Sequence, residues 1–126
     1  MSRQNISSGG PYEAPYGYSR AVRVGDALYV AGTCAQPPNV EGHDAYEQTV
    51  AALWIIRKAL HEAGATIDDV VRTRIFVVNI DDADKVMRAH GEVFGNVRPA
   101  STLLGVNQLI DPALLVEIEV DAMTAD

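Results

Sequence analysis

Acidic and aliphatic side chains alternate near the end of the chain, and this alternation is the best candidate for proton chemistry. Glu117, Glu119 and Asp121 share one face of a strand predicted over 114–122, and aliphatic residues take the other face. A carboxyl group in a polar cleft can accept a proton from water or give one to a substrate carbon. The turn at 99–102, Pro-Ala-Ser-Thr, precedes this strand. The pattern predicts a polar cleft with Glu117 as its candidate general acid or base.

Purely structural roles compete with a chemical role for these groups. Glu117 could instead form a cross-strand ion pair with Arg72 or Arg74, because structural ion pairs also occupy strand faces. Ser101 could act as a nucleophile only beside a base such as His, and no such motif surrounds it. Hydrogen bonding to a ligand or to the backbone is the expected role of Ser101.

The remaining reactive side chains predict no further site. Cys34 is the single cysteine and no Lys or Arg flanks it, so a small buried side chain or an inert loop thiol is expected. His43, His61 and His90 lack metal-ligand spacing, which predicts no metal site. Trp54 is interpreted as core or interface packing.

Composition limits the classes of partner. The chain has 126 residues, 48% of them hydrophobic, and a net charge of −7. Phosphate contacts require clustered Lys and Arg, so the acidic balance argues against nucleic-acid binding and against an anionic membrane surface. No apolar run approaches the ~20 residues of a membrane helix. We expect one domain over 1–126, in the cytoplasm.

Periodicity predicts a strand–strand–helix–strand–helix–strand–strand order after an irregular arm over 1–17. The predicted strands cover 18–24, 27–32, 70–78, 100–107 and 114–122, and the helices cover 44–63 and a segment that opens at 81–84. Helices on one side of a mixed sheet give a two-layer α+β sandwich. The other face of the sheet mixes charged and apolar residues, so we expect it to be buried against another copy of the chain.

The strands resemble those of the RidA/YjgF family, over essentially the whole chain. Gly17–Val22, Leu28–Gly32 and Thr73–Val77 are similar to the first three strands of that family. The most specific similarity is Pro99–Ala100 followed by Val116–Glu119. The resemblance implies a chorismate-mutase-like fold, a homotrimer and a small-molecule ligand in a cleft between subunits.

The resemblance also implies site residues, position by position. Glu117 matches the carboxylate that positions the attacking water, and Tyr18 matches a tyrosine that lines the cleft. Ser101 stands where the family has an arginine that anchors the substrate carboxylate. Ala31 replaces a serine, and Leu103 replaces a cysteine. These departures predict an altered substrate preference, because a serine hydroxyl carries no charge.

Three functions follow as expectations. The resemblance implies a hydrolytic deaminase of enamines or imines that needs no metal or organic cofactor, with Arg74 or Arg98 as possible replacements for the missing anchor. The alternative is a non-catalytic trimeric protein that binds a metabolite or regulates a partner. The endoribonuclease activity ascribed to some members is the weakest option, because the chain has no basic groove and no pair of histidines that could cleave RNA.

Overall fold

The computed structural model describes residues 2–124, which form a six-stranded sheet with two long helices on one side. The strands and helices, in chain order, are β1 Arg3–Ile6, α1 Glu13–Tyr16, β2 Ala21–Val24, β3 Ala27–Thr33, α2 Ala45–Glu62, β4 Val70–Val77, α3 Ala83–Phe94, β5 Ala100–Gly105 and β6 Val116–Met123. Short 3₁₀ turns at Ile67–Asp69 and Ile80–Asp82 precede β4 and α3. The predicted two-layer α+β sandwich is confirmed.

The sheet is mixed, with the strand order β1-β2-β3-β6-β4-β5. Only β4 and β5 are parallel, and α3 makes the crossover between them. β6, the strand that carries the three carboxylates, lies between β3 and β4. This central position gives Glu117 neighbours from both halves of the chain.

Helix α2 begins and ends where the sequence predicts. The Asp44 side chain accepts a hydrogen bond from Glu47 N–H, and the Glu47 side chain accepts one from Asp44 N–H. This reciprocal pair is a capping box, which satisfies two N–H groups that the helix leaves free. After the helix, Gly64 adopts a φ of 82°, a left-handed conformation that glycine tolerates best.

The core lies between the sheet and the two helices. Alternate residues of β6, namely Val116, Ile118 and Val120, are fully buried against the helices. The members of the core from α2 and α3 include Leu53, Ile56, Leu60, Val86 and Phe94. The predicted alternation of β6 is therefore confirmed: its aliphatic residues form the core and its acids face away from the helices.

A buried amide fixes the start of β6. Gln48 on α2 is completely buried; its Oε1 accepts from Leu115 N–H at 2.9 Å, and its Nε2 donates to Ala113 O at 3.1 Å. A buried amide with paired donors and acceptors stabilises one arrangement of the chain around it. Gln48 thereby holds the loop that leads into the acid-bearing strand.

The prediction of an irregular arm over 1–17 was wrong in part. Arg3–Ile6 pairs with β2 in antiparallel register, and Glu13–Tyr16 forms a short helix. The buried Glu13 carboxylate accepts hydrogen bonds from the Ser7 and Ser8 hydroxyls. Burial raises the pKa of Glu13, but the hydrogen bonds lower it, and the net shift is downward. The carboxylate is therefore ionised, and its hydrogen bonds stabilise the conformation of the arm.

The strand face predicted for Val71 was also wrong. The sequence predicts Val71 on the same face of the strand as Thr73 and Ile75, but Val71 is 48% exposed and Val70 is buried instead. The pairing of β4 with β6 shifts register between Val70 and Arg72. A bulge of this kind inserts one residue and exchanges the faces on either side of it.

Candidate functional site

The Glu117 carboxylate lies on the open face of β6, opposite Phe76 of β4. Its Oε1 accepts a hydrogen bond from the Cys34 thiol, with the Sγ at 3.4 Å. Its Oε2 lies against Gly32, so closely that a Cβ on Gly32 would overlap it. Within residues 2–124, no Lys or Arg nitrogen lies within 4.0 Å of this carboxylate. The half-buried Glu117 is therefore not the partner of Arg72 or Arg74.

The two arginines of β4 pair with the other acids of β6. Arg74 Nη1 lies 3.3 Å from Glu119 Oε1 and 3.4 Å from Asp121 Oδ2. Arg72 Nε lies 4.0 Å from the same oxygen of Asp121. Arg74, a candidate ligand anchor, thus already has two carboxylates as its partners.

Tyr18 and Ala31 lie together on the same face of the sheet. Both line an open cavity of about 550 Å³, whose other walls include Tyr29, Glu119 and Asp121. The Ala31 N–H donates to the carbonyl of Arg20 at 3.0 Å, which ties the start of β2 to β3. These two predicted ligand-binding residues therefore share one concave surface with Glu119 and Asp121 of β6.

Arg20 is a neighbour of this surface that the sequence pattern did not single out. Its Nη2 donates to Gly32 O at 2.7 Å, and its guanidinium carbon lies 5.9 Å from the centre of the Tyr18 ring. Its Nε is buried and has no hydrogen-bond partner within the described residues. The signal that could have identified it is its charge, since it is the one basic residue in Gly17–Val22.

Ser101 and Leu103 point to the other side of the sheet. Ser101 pairs with Thr73 across the parallel β4–β5 register, and its hydroxyl accepts a hydrogen bond from Thr73 Oγ1 at 2.7 Å. Leu103 pairs with Ile75 and packs against the core. Within one chain, the side chains of Ser101 and Leu103 are therefore separated from Glu117 by the sheet.

His90 lies behind Ser101 in a buried chain of hydrogen bonds. Its Nε2 is 2.9 Å from Thr73 Oγ1, and Thr73 Oγ1 is also 2.7 Å from Ser101 Oγ, so Thr73 links the two side chains. Burial lowers the pKa of His90, which favours the neutral imidazole. His90 is a packed histidine, as its position on the apolar side of the helix predicts.

Arg98 lies between α3 and β5, and Trp54 lies on α2. Arg98 is exposed and adopts a φ of 56° where the chain leaves α3. Trp54 is 66% exposed on α2, so the interpretation of Trp54 as core packing is wrong and its role at an interface stays a prediction. No helix within residues 2–124 is long and apolar enough to span a bilayer.

Replacing Thr73 by Val is expected to lower the free energy of unfolding by about 1–3 kcal/mol, because His90 Nε2 would lose its hydrogen-bond partner in a buried site. Equilibrium unfolding in urea measures the loss. Thr73→Ser keeps the hydroxyl and is the control. A loss in Thr73→Ser that exceeds the loss in Thr73→Val would show that packing of the Thr73 methyl group, rather than the hydrogen-bonded chain, stabilises this region.

Comparisons with known proteins agree with this architecture. Residues 11–124 match the family model described as endoribonuclease L-PSP. A crystal structure of a YjgF/YER057c/UK114 family member from Mycobacterium tuberculosis superposes with a TM-score of 0.91 at 47% identity, covering 98% of this chain and 100% of that one.

Proteins with similar sequences support the same family assignment. A protein of Streptomyces coelicolor is 43% identical over 122 residues, which are 94% of this chain and 90% of the relative. A 2-iminobutanoate/2-iminopropanoate deaminase of Dermatophagoides farinae is 30% identical over 125 residues, 94% of this chain and 95% of the relative. The chain therefore belongs to the endoribonuclease L-PSP family, the RidA/YjgF family that the sequence resembles.

Proposed function

We propose that the protein is a hydrolytic deaminase of enamines, imines or related reactive nitrogen compounds. The observation that carries this proposal is the Glu117 carboxylate, which is half-buried, oriented by Cys34 and Gly32, and not neutralised by an arginine or lysine within residues 2–124. A carboxylate in this condition can accept a proton from water. The deaminase among the relatives supports the same reaction class.

The reaction would use only water as co-reactant. Glu117 takes a proton from water while the water oxygen bonds to the carbon of the C=N group, and Glu117 then passes this proton to the nitrogen. The carbon–nitrogen bond of the resulting amino alcohol breaks, the hydroxyl proton leaves with the nitrogen as ammonia, and the carbon–oxygen bond becomes a carbonyl. One imine and one water thus give one carbonyl compound and one ammonia, and Glu117 returns to its starting state.

The site favours a substrate that is neutral or positively charged at the reacting end. Glu117, Glu119 and Asp121 all lie on the open face, and Ser101 supplies no positive charge in place of an arginine. Arg74 is already shared between two carboxylates. A substrate carboxylate placed close to these acids would be repelled, because like charges at short range in a partly dry site interact strongly.

The cleft itself is proposed to form between copies of the chain in a homotrimer. Tyr18, Ala31 and Glu117 lie on the open face, whereas Ser101 and Leu103 belong to the edge strand β5 and point the other way. These residues can meet only if the β5 edge of one protomer lies beside the open face of another. A cleft shared between two protomers would therefore bring together residues that lie on opposite sides of the sheet within one chain.

Ser101, at the position where the resemblance implies an anchoring arginine, favours a second candidate function, a trimeric protein that binds a metabolite without turnover. The Ser101 hydroxyl accepts from Thr73 instead of supplying a positive charge to the cleft. Measuring ammonia release from imines and enamines that differ only in charge separates the two. Release with a preference for uncharged compounds supports the deaminase; thermal stabilisation by these compounds without release supports the binding protein.

A further inference from the structure

The two oxygens of Glu117 have different surroundings. Oε1 accepts from the Cys34 thiol at 3.4 Å. Oε2 has no hydrogen-bond partner within residues 2–124 and keeps contact with solvent, since the one buried side-chain oxygen or nitrogen without a partner in that part of the chain is Arg20 Nε. A carboxylate with one oxygen held and the other open presents a single site for proton transfer.

Gly32 makes this arrangement possible. A Cβ at position 32 would overlap Glu117 Oε2 and also crowd its carboxyl carbon. The backbone here is fixed from both sides, because Arg20 Nη2 donates to Gly32 O at 2.7 Å and Thr33 Oγ1 donates to Ala31 O at 2.7 Å. The pairing of β3 with β6 also shifts register between Val30 and Thr33. A glycine at a bulge commonly marks such a close approach.

The Cys34 thiol is suited to donate a hydrogen bond to Glu117 Oε1. Burial is the largest cause that raises the pKa of the Cys34 thiol. The charge of Glu117 and the hydrogen bond to Glu117 also raise this pKa, whereas the charge of Arg20 lowers it. The pKa of Cys34 is raised to about 12, so the thiol keeps its proton throughout the neutral range. A protonated thiol donates to a carboxylate and does not compete with it as a nucleophile.

We infer that Cys34 and Gly32 are positioning residues for Glu117: the thiol fixes Oε1, the absent side chain at 32 admits the carboxylate, and Oε2 is left to exchange a proton with the ligand. This inference rests on the proposed function for its catalytic meaning. The arrangement of the three residues can be tested without any substrate.

The first test measures alkylation of Cys34 by iodoacetamide between pH 8 and 10 in the intact protein, with circular dichroism as a check on folding. In Glu117→Gln the negative charge is removed, and at least ~10-fold faster alkylation is expected at each pH, the effect of lowering a thiol pKa by about one unit. Glu119→Gln, the same change two residues along the strand, should alkylate at the wild-type rate. Equal rates in Glu117→Gln and wild type would overturn the inference.

Gly32→Ala provides a second readout in the same assay. The added methyl group displaces the carboxylate from Cys34, so faster alkylation is expected here too, with Glu117 still present. Wild-type alkylation of a folded Gly32→Ala protein would show that the glycine does not govern the position of Glu117.

The second test uses turnover. Cys34→Ala is expected to lower kcat about 10-fold with little change in KM, because the carboxylate loses its support but ligand contacts remain. Cys34→Ser restores a donor and should recover kcat to within about 3-fold of wild type. Equal losses in the two variants would overturn the inference. If no substrate is turned over but the alkylation results hold, the proposed function fails and the positioning of Glu117 stands.

Discussion

Glu117→Gln is expected to lower kcat for ammonia release at least ~100-fold, within the range that a positioned acid or base contributes. Glutamine has nearly the same shape, and its carbonyl oxygen can still accept from the Cys34 thiol, so the side chain should stay where it is. What it loses is the ability to take a proton from water. Steady-state kinetics with ammonia detection measures kcat and KM separately, and KM should change little.

The matched control for this substitution is Glu119→Gln. The two glutamates lie on one strand and one face, two residues apart, but Glu119 is paired with Arg74 at 3.3 Å. Loss of that pair is expected to leave kcat within about 5-fold of wild type, since partly exposed ion pairs contribute little. Equal losses in the two variants would mean that the overall negative charge of the face, rather than a base at position 117, supports turnover.

Local patterns were enough to predict most of the elements. The alternation of aliphatic and acidic residues on β6 requires a two-residue period, and the structure buries the aliphatic side. Asp44 and Glu47 have the types and spacing of a capping box, and both reciprocal hydrogen bonds are present. In each case the information lies within a few residues, so no knowledge of the tertiary structure is needed to interpret it.

The errors come from contacts between distant parts of the chain. Arg3–Ile6 has little alternation and becomes a strand because the edge of β2 offers it hydrogen bonds and Glu13 fastens the arm. The exposure of Val71 follows from a register shift against Asp121 and Ala122 of β6, which are distant in the sequence. Neither contact can be recognised from the residues next to it in the sequence.

In the candidate site, too, some features follow from the local sequence and others depend on contacts between distant residues. Glu117 could be chosen from its type and its strand face, but the approach of Cys34 and Gly32 depends on the pairing of β3 with β6. The direction of Ser101 depends on its pairing with Thr73, which sets it on the helix side. Residue types therefore identified candidates, and the register decided which of them lie together.

Tyr29→Lys is expected to convert the proposed homotrimer largely to monomers. Tyr29 is 53% exposed at the centre of the open face, on which Tyr18, Leu104 and Met123 also lie with roughly half of their surface exposed. Apolar surface of this kind, on a sheet whose other side is covered by helices, is typical of a protein–protein interface. The lysine would have to lose its hydration when the interface forms, and this desolvation costs more than the lost tyrosine contacts alone.

The monomer itself should tolerate the change. Tyr29 lies opposite Asp121 in the β3–β6 register, so a lysine at 29 faces a carboxylate within its own chain, a favourable cross-strand pair. Circular dichroism should show wild-type secondary structure. Light scattering measures the oligomeric state, and ammonia release should fall in parallel with the trimer fraction, because the proposed cleft needs residues from two copies.

Trp54→Lys is the matched control on the other layer. Trp54 is at least as exposed as Tyr29, at 66%, but lies on α2, the layer opposite the open face. If the copies meet through the open face, as proposed, the interface role predicted for Trp54 is wrong, and its replacement by the same charged residue leaves the mass measured by light scattering unchanged. If Trp54→Lys dissociates the assembly and Tyr29→Lys does not, the copies meet through their helices. The open face of the sheet, with Glu117 on it, would then be left to solvent, and a cleft shared between Glu117 and a neighbouring β5 could not form.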